Sequence, residues 1–240
     1  MNMMRWVLMM VMVMVVGRGE AAERVPELEE VLEAARYAAT LRHQDLQGQI
    51  RKGTRKIPVG LYLRGENLQF TYHRPADGAA MHFHLRLKED HYDLIEIVNG
   101  EERLFPASRL GESIEGTDLT YEDLSMRFLY WPGGLVEGSE KLKGQEAWRI
   151  RLVNRSGKGR YAQVRVWVHK KSGALMQVVG FDEQGRPLKR FQVTDIMRVG
   201  DVYTLRRMRV DTIEPEANKV VGLTYLEFDK PKQASPGGLR

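Results

Sequence analysis

The sequence predicts a mainly β (α+β) protein: one amphipathic helix followed by a long, curved antiparallel sheet that carries a single helical interruption. Two observations lead there. Apolar residues recur with a period near 3.6 over Val25–Leu41, and then with a period of 2 through most of the remaining chain. A third observation, an N-terminal leader, fixes where such a chain would work.

The leader comes first in the chain. Met1–Arg5 is short and basic, Trp6–Val16 is uncharged and apolar, and Gly17–Ala22 brings small residues and charge. That order is a secretory signal peptide. The apolar run is shorter than the roughly 20 residues that a membrane-spanning helix needs. Gly19 and Ala21 are small enough for the recognition positions, so cleavage is expected after Ala21 and the mature protein is expected in the periplasm. The chain has no cysteine, which excludes a lipid-anchored lipoprotein and any disulfide framework. Loss of Arg5, Arg18 and Glu20 lowers the formal charge from +5 to +4. This mild excess is spread along many strands, which speaks for solvated faces and against a nucleic-acid site.

In the helix, Leu28, Val31, Leu32, Ala35 and Ala39 form one stripe. Pro26 suits its first turn, and Glu27, Glu29 and Glu30 suit its positive end. Strands follow at Val59–Leu63, Leu68–Tyr72, Met81–Leu87, Asp93–Val98 and Arg103–Phe105, with turns at Arg64–Asn67 and Asn99–Gly100. A second series covers Ala147–Val153, Ala162–Val168, Leu175–Val179, Pro187–Val193, Tyr203–Thr212 and Val220–Phe228, with turns at Lys171–Gly173 and Glu183–Gly185. Sequential hairpins with one apolar face make a meander, and a sheet this long curls or closes to protect its edges. Residues 22–228 are therefore expected as one domain behind the 1–21 leader, and 229–240 as a disordered tail.

Ser108–Gly134 breaks the strand series. Thr120 and Asp123 have the spacing of a capping box, and Leu124, Phe128 and Trp131 can line one side of a short helix that Pro132–Gly134 ends. Such a helix can cover the mouth of a curved sheet, so the helix at Val25–Leu41 and the 120–130 segment are both expected on the concave side.

The run Gly116-Thr-Asp-Leu-Thr-Tyr-Glu-Asp-Leu124 resembles a motif of the LolA-like outer membrane lipoprotein-sorting protein family, within the LolA/LolB-like half-barrel superfamily. The opening helix, the Leu46-Gln-Gly-Gln49 strand and the many short amphipathic strands are similar too, so the resemblance spans about Glu27 to Phe228. It implies an unclosed, strongly curved antiparallel β half-barrel with a helical lid and an apolar cavity for acyl chains. It further implies a soluble, monomeric periplasmic carrier of lipid or lipoprotein acyl chains toward the outer membrane, with inner- and outer-membrane envelope proteins as possible partners. The other reading is a cell-envelope interaction or sensor module with a filled half-barrel and no cargo. Alternation places Leu61, Leu63, Phe70, Phe83, Leu85, Ile150, Val164, Val166, Val178, Leu205 and Leu223 on the cavity wall, opposite Arg149, Arg151 and Arg165. Leu124, Phe128 and Trp131 form the lid.

Chemistry is sparse. His82 and His84, near His73 and His91, have a spacing that could bind zinc, but Phe83, Leu85 and Leu87 take the apolar face and leave the imidazoles to solvent. Asp118, Glu122 and Asp123 read as loop-shaping and capping groups rather than a glycosidase pair. Ser156–Gly159 is a turn, not a phosphate loop, and Gly-x-Ser-x-Gly and His-Glu-x-x-His are absent. No catalytic residue, metal or cofactor is expected, and the chain reads as a non-enzyme.

Overall fold

In a computed structural model, residues 24–40, 44–64, 67–87 and 92–231 are described. The leader, Leu41, the turn residues Gly65 and Glu66, His91 and the tail from 232 onward lie outside them. Helix α1 (Leu28–Thr40) begins three residues later than its pattern suggested. Val31, Leu32 and Ala35 are buried as its stripe requires. No described helix is long and apolar enough to cross a membrane.

The first strands are β1 (Gln44–Lys52), β2 (Arg55–Arg64), β3 (Asn67–His73), β4 (Ala80–Leu87), β5 (Tyr92–Val98) and β6 (Glu101–Leu104). A long connection holds short 3₁₀ turns and α2 (Tyr121–Ser125). Strands β7 (Gly133–Leu142), β8 (Gln145–Val153), β9 (Gln163–His169), β10 (Leu175–Phe181), β11 (Pro187–Val199), β12 (Val202–Glu214) and β13 (Lys219–Phe228) follow. All thirteen form one open antiparallel sheet in the order β6-β5-β4-β3-β2-β1-β13-β12-β11-β10-β9-β8-β7.

This is not one sequential meander. The first and last strands pair, with Gly48 opposite Phe228 and Arg51 opposite Tyr225. Two meanders are thereby joined back to back, and β6 and β7 become the two edges. Strand β7 carries no legible period-2 signal. Gly133, Gly134 and Gly138 interrupt it, a bulge falls between Val136 and Gly138, and most of its residues are at least partly exposed, as suits an edge.

One face of the sheet is apolar and covered. Around β1–β4, Ile50, Ile57, Val59, Phe70, Tyr72 and Phe83 pack with Phe105, Ile114 and Tyr121 of the connection. Tyr72 stacks on Phe83 at 5.9 Å, and Phe105 lies 4.5 Å from Tyr121. Around β8–β10, Ile150, Leu152, Val164, Val166 and Val178 pack with α1 and with Phe128 and Leu129. The other face is polar. One cross-strand row reads Arg149, Trp167, Gln177, Gln192, Arg209, Tyr225, Arg51, Lys56 from β8 to β2. Carboxylates sit between the cations. Glu137 lies 3.0, 3.3 and 3.4 Å from the Nε atoms of Arg149, Arg151 and Arg165. Glu227, bonded to Arg51, is held down at about 2. The excess charge is thus a set of registered rows, finer in arrangement than the scatter along the sequence.

Truncation separates the faces. Phe83→Ala, at a fully buried site, is expected to cost about 3–5 kcal/mol. Leu223→Ala, at a site 36% exposed, should stay within about 0.5 kcal/mol. Urea midpoints at constant m-value measure both.

Candidate functional site

The connection from Phe105 to Pro132 lies across the covered face; Lys52 and Arg55 of the sheet donate to its Gly116 and Glu115 carbonyls, and three further fastenings use its own side chains. Tyr121 meets Tyr72 of β3 hydroxyl to hydroxyl at 2.9 Å. Burial pushes both phenols up.

The second fastening is Asp118. Its carboxylate accepts from Thr212 Oγ1 of β12 and Thr224 Oγ1 of β13, each at 2.7 Å, and its backbone N–H donates to Thr224 Oγ1 at 3.0 Å. Lys52 Nζ stands 3.3 Å away. Burial pushes this carboxyl up, but the two hydroxyls and the ammonium outweigh it and leave it below its ordinary value. A Cβ on Gly222 would meet Asp118 Oδ1 at 2.0 Å, so the loop seats only against a glycine.

The third fastening is Asp123, in α2. Thr120 and Asp123 complete the expected capping box: Thr120 N–H donates to Asp123 Oδ2 at 2.8 Å, and Asp123 N–H to Thr120 Oγ1 at 3.3 Å. The same carboxylate accepts from Tyr161 Oη at 2.7 Å and Lys189 Nζ of β11 at 2.6 Å. The Asp123 and Lys189 side chains are 0% and 3% exposed. Burial and the Asp123 charge push the Tyr161 phenol well up, so it stays a donor. Tyr161 fits because β10 carries Gly180 there; a Cβ would meet its ring at 2.4 Å. Beyond α2, the Leu129 carbonyl accepts from Arg36 Nε and Nη2 of α1 at 3.0 and 2.8 Å.

Between connection and sheet remains a cavity of about 10 Å³, lined by Phe128, Trp131, Tyr161, Val164, Val178 and Phe191 among others. That is room for one water at most.

The residues expected on the wall fall out as follows. Leu63, Phe70, Phe83, Leu85, Ile150, Val164, Val166 and Val178 are buried on the covered face. Leu61 and Leu205 are half-buried against the β1–β4 core. Leu223 is a correction. Thr224, Leu226 and Phe228 take the covered face of β13, so Leu223 is exposed on the opposite one, paired with Asp211. Of the lid residues, Phe128 is buried, Leu124 packs on the first core and Trp131 on the second. His82 is exposed, and His84 stands 3.5 Å from Glu102. Among the described residues no three metal-ligating side chains gather. Lys189 and Tyr161 were not anticipated. Lys189 was detectable, because it shares strand parity with Phe191 and so faces the core.

Glu122 gives a pH signature. Burial and the Asp123 charge push its carboxyl up against the opposing bond from the Arg160 N–H at 3.0 Å. A raised acid binds its proton more tightly when folded, so its contribution is present below the ordinary 4.5 and is lost as pH rises from there through the raised value. Wild-type stability should therefore fall relative to Glu122→Gln as pH rises from 4 toward 7, read as urea midpoints. A constant difference would contradict this.

No curated protein matches the sequence. Among solved structures, a DUF1329 family protein from Desulfovibrio piger aligns at 16% identity and a TM-score of 0.61, covering 86% of this chain and 94% of that one. A LolA superfamily protein from Nitrosomonas europaea aligns at 12% identity and 0.61, covering 86% and 93%. A "putative outer membrane lipoprotein-sorting protein domain" from Vibrio parahaemolyticus aligns at 15% identity and 0.63, covering 84% and 91%. The fold is therefore that of LolA-superfamily and lipoprotein-sorting domains. A family model described as "-like: Uncharacterized protein" matches residues 85–235, more than half of the sequence, and the chain belongs to that family.

Proposed function

We propose that this protein is a non-enzymatic periplasmic carrier of lipid or lipoprotein acyl chains, seen with its lid closed. One observation carries the reading. The apolar face is covered by a chain segment that, beyond the Phe105 N–H bond to the Leu94 carbonyl of β5, is fastened to the sheet through side chains, among them Asp118, Tyr121 and Asp123. Fastenings of that kind can open while the sheet stays paired. The fold likeness to lipoprotein-sorting domains supports the same reading.

Strong curvature, and with it the half-barrel, belongs to this proposal. Twelve spacings of about 4.8 Å would make a flat sheet about 58 Å wide. The connection folds back on itself, since Ser113 bridges Thr120 and Glu122 N–H bonds to the Leu110 carbonyl, so 111–121 add little reach. The remaining residues, partly helical at about 1.5–2 Å each, span roughly 40 Å. A sheet bent toward the connection lets it join both edges.

A carrier without ATP needs a large apolar surface that can be exposed and covered again, because each CH₂ left in water costs about 0.8 kcal/mol. Leu61, Leu63, Phe70, Phe83, Leu85, Ile150, Val164, Val166, Val178 and Leu205 are the proposed wall, and Leu124, Phe128 and Trp131 the lid. The basic, apolar and small-residue order of residues 1–22 suits an exported protein. The small residual cavity favours a second reading, a filled envelope module that acts through its polar outer face.

Binding of a fluorescent fatty acid separates the two. Phe128→Asp should weaken uptake at least tenfold, because its carboxylate would be desolvated against the chain. Arg165→Ala, on the outer face, should leave uptake within twofold. Equal affinities with unchanged folding would overturn the lid assignment, and no binding by the wild type would favour the filled module.

A further inference from the structure

Lys189 is an unusual residue for an apolar face. Its neighbours at the same strand parity and across the ladder are Phe191, Thr212 and Val210. Its side chain is 3% exposed, and its ammonium lies 5.9 Å from the Phe191 ring. The carboxylate that neutralises it, Asp123, belongs to the connection and not to the sheet. Asp123 itself has two further donors, the backbone of Thr120 and the Tyr161 hydroxyl, so its charge is well met while the lid is closed.

Opening splits this arrangement unevenly. If α2 lifts, Asp123 keeps its capping bond to Thr120, because both residues move together. Lys189 stays on β11, buried beside the Phe191 ring, with its charge uncompensated, and an isolated buried ammonium is strongly disfavoured. Tyr161, just before β9, loses its acceptor at the same moment. A hydroxyl donor and an ammonium that both pointed at one carboxylate are left aimed at the same vacated spot. Asp123 and Tyr161 border a small cavity whose walls include apolar Phe128, Val164, Val178 and Phe191 as well as Glu122 and Arg127.

Resting on the carrier reading, we infer that Lys189 and Tyr161 form a headgroup subsite, which takes a singly anionic amphiphile whose carboxylate or phosphate replaces the Asp123 carboxylate while its acyl chain lies along Phe128, Val164, Val178 and Phe191. The exchange conserves charge. One buried ion pair is traded for another, so opening with this cargo avoids the stranded ammonium that opening around a neutral lipid would create. The cargo class is thereby narrowed from acyl chains in general to acyl chains with an anionic head.

Equilibrium binding of oleate, oleoyl lysophosphatidylglycerol (a singly charged phosphodiester) and oleyl alcohol to the mature protein tests this. The wild type should bind at least one of the two anions ten or more times tighter than the alcohol, and the tighter anion identifies the head as carboxylate or phosphate. Lys189→Met should bring anion and alcohol affinities within twofold while alcohol binding is retained, and Lys189→Arg should keep the preference. Circular dichroism confirms that each variant is folded. A wild type that binds all three equally overturns the subsite and leaves the carrier intact. A wild type that binds none overturns the carrier reading itself. A preference unchanged in a folded Lys189→Met also overturns the subsite. The wild-type comparison needs no variant, so a Lys189→Met that fails to fold leaves that test standing.

Discussion

Pairing of β1 with β13 is the constraint on which the rest of this structure depends. Each half of the chain is a meander whose outermost strand is the one nearest the middle of the sequence. Once the chain's two ends pair, β6 and β7 are driven to opposite edges, and because every neighbouring pair is antiparallel they run in the same direction. The connection between them must therefore cross the sheet. It does so over the apolar face, where Phe105, Ile114, Tyr121, Phe128 and Leu129 add their own burial to that of the strands. A segment that covers the apolar face is then a topological product, required by the strand order before any ligand is considered.

What holds the crossing in place differs in kind from what holds the sheet. Strand pairs are held by ladder hydrogen bonds, from four registered residue pairs in β1–β13 to ten in β11–β12. The crossing relies on a few charge-assisted side-chain bonds at Asp118 and Asp123, with Arg36 on the Leu129 carbonyl. Bonds to charged groups are the stronger kind, but each is short-ranged and lost as a unit. Their arrangement also explains two glycines. Gly222 and Gly180 lie where side chains from elsewhere in the chain press against the sheet, and a methyl group at either would collide.

Much of this was legible in advance, and for definite reasons. Helix α1 shows itself because Leu28, Val31, Leu32 and Ala35 keep a single period, and most strands because apolar residues alternate with others, as Leu68, Phe70 and Tyr72 do with Gln69 and Thr71. The capping box at Thr120 and Asp123 is a local code, and the structure uses it as written. Strand β13 misleads because both of its faces are partly apolar: Val221 and Leu223 compete with Leu226 and Phe228. The decision is made by Thr224, which must meet Asp118, a partner more than a hundred positions away. Long-range polar pairings of that sort leave no periodic trace. Strand β7 is silent because an edge strand with three glycines has little to bury, and the β1–β13 pairing is silent because nothing in either strand names its partner. The small size of the residual cavity, too, could not be read from alternation, which marks a face as apolar without saying what covers it.

The central claim is that the crossing can leave the sheet without unfolding it, and native-state hydrogen exchange measures this directly. The amides of Glu122, Leu124 and Leu129 are bonded within the connection, whereas those of β1 and β13 belong to the ladder. The account predicts that the connection's amides exchange through a partial opening of lower free energy than global unfolding, with a small dependence on denaturant, while the β1 and β13 amides exchange only on global unfolding. Connection amides that exchange at the global free energy, with the full denaturant dependence of β1 and β13, would show that crossing and sheet form a single unit and contradict it.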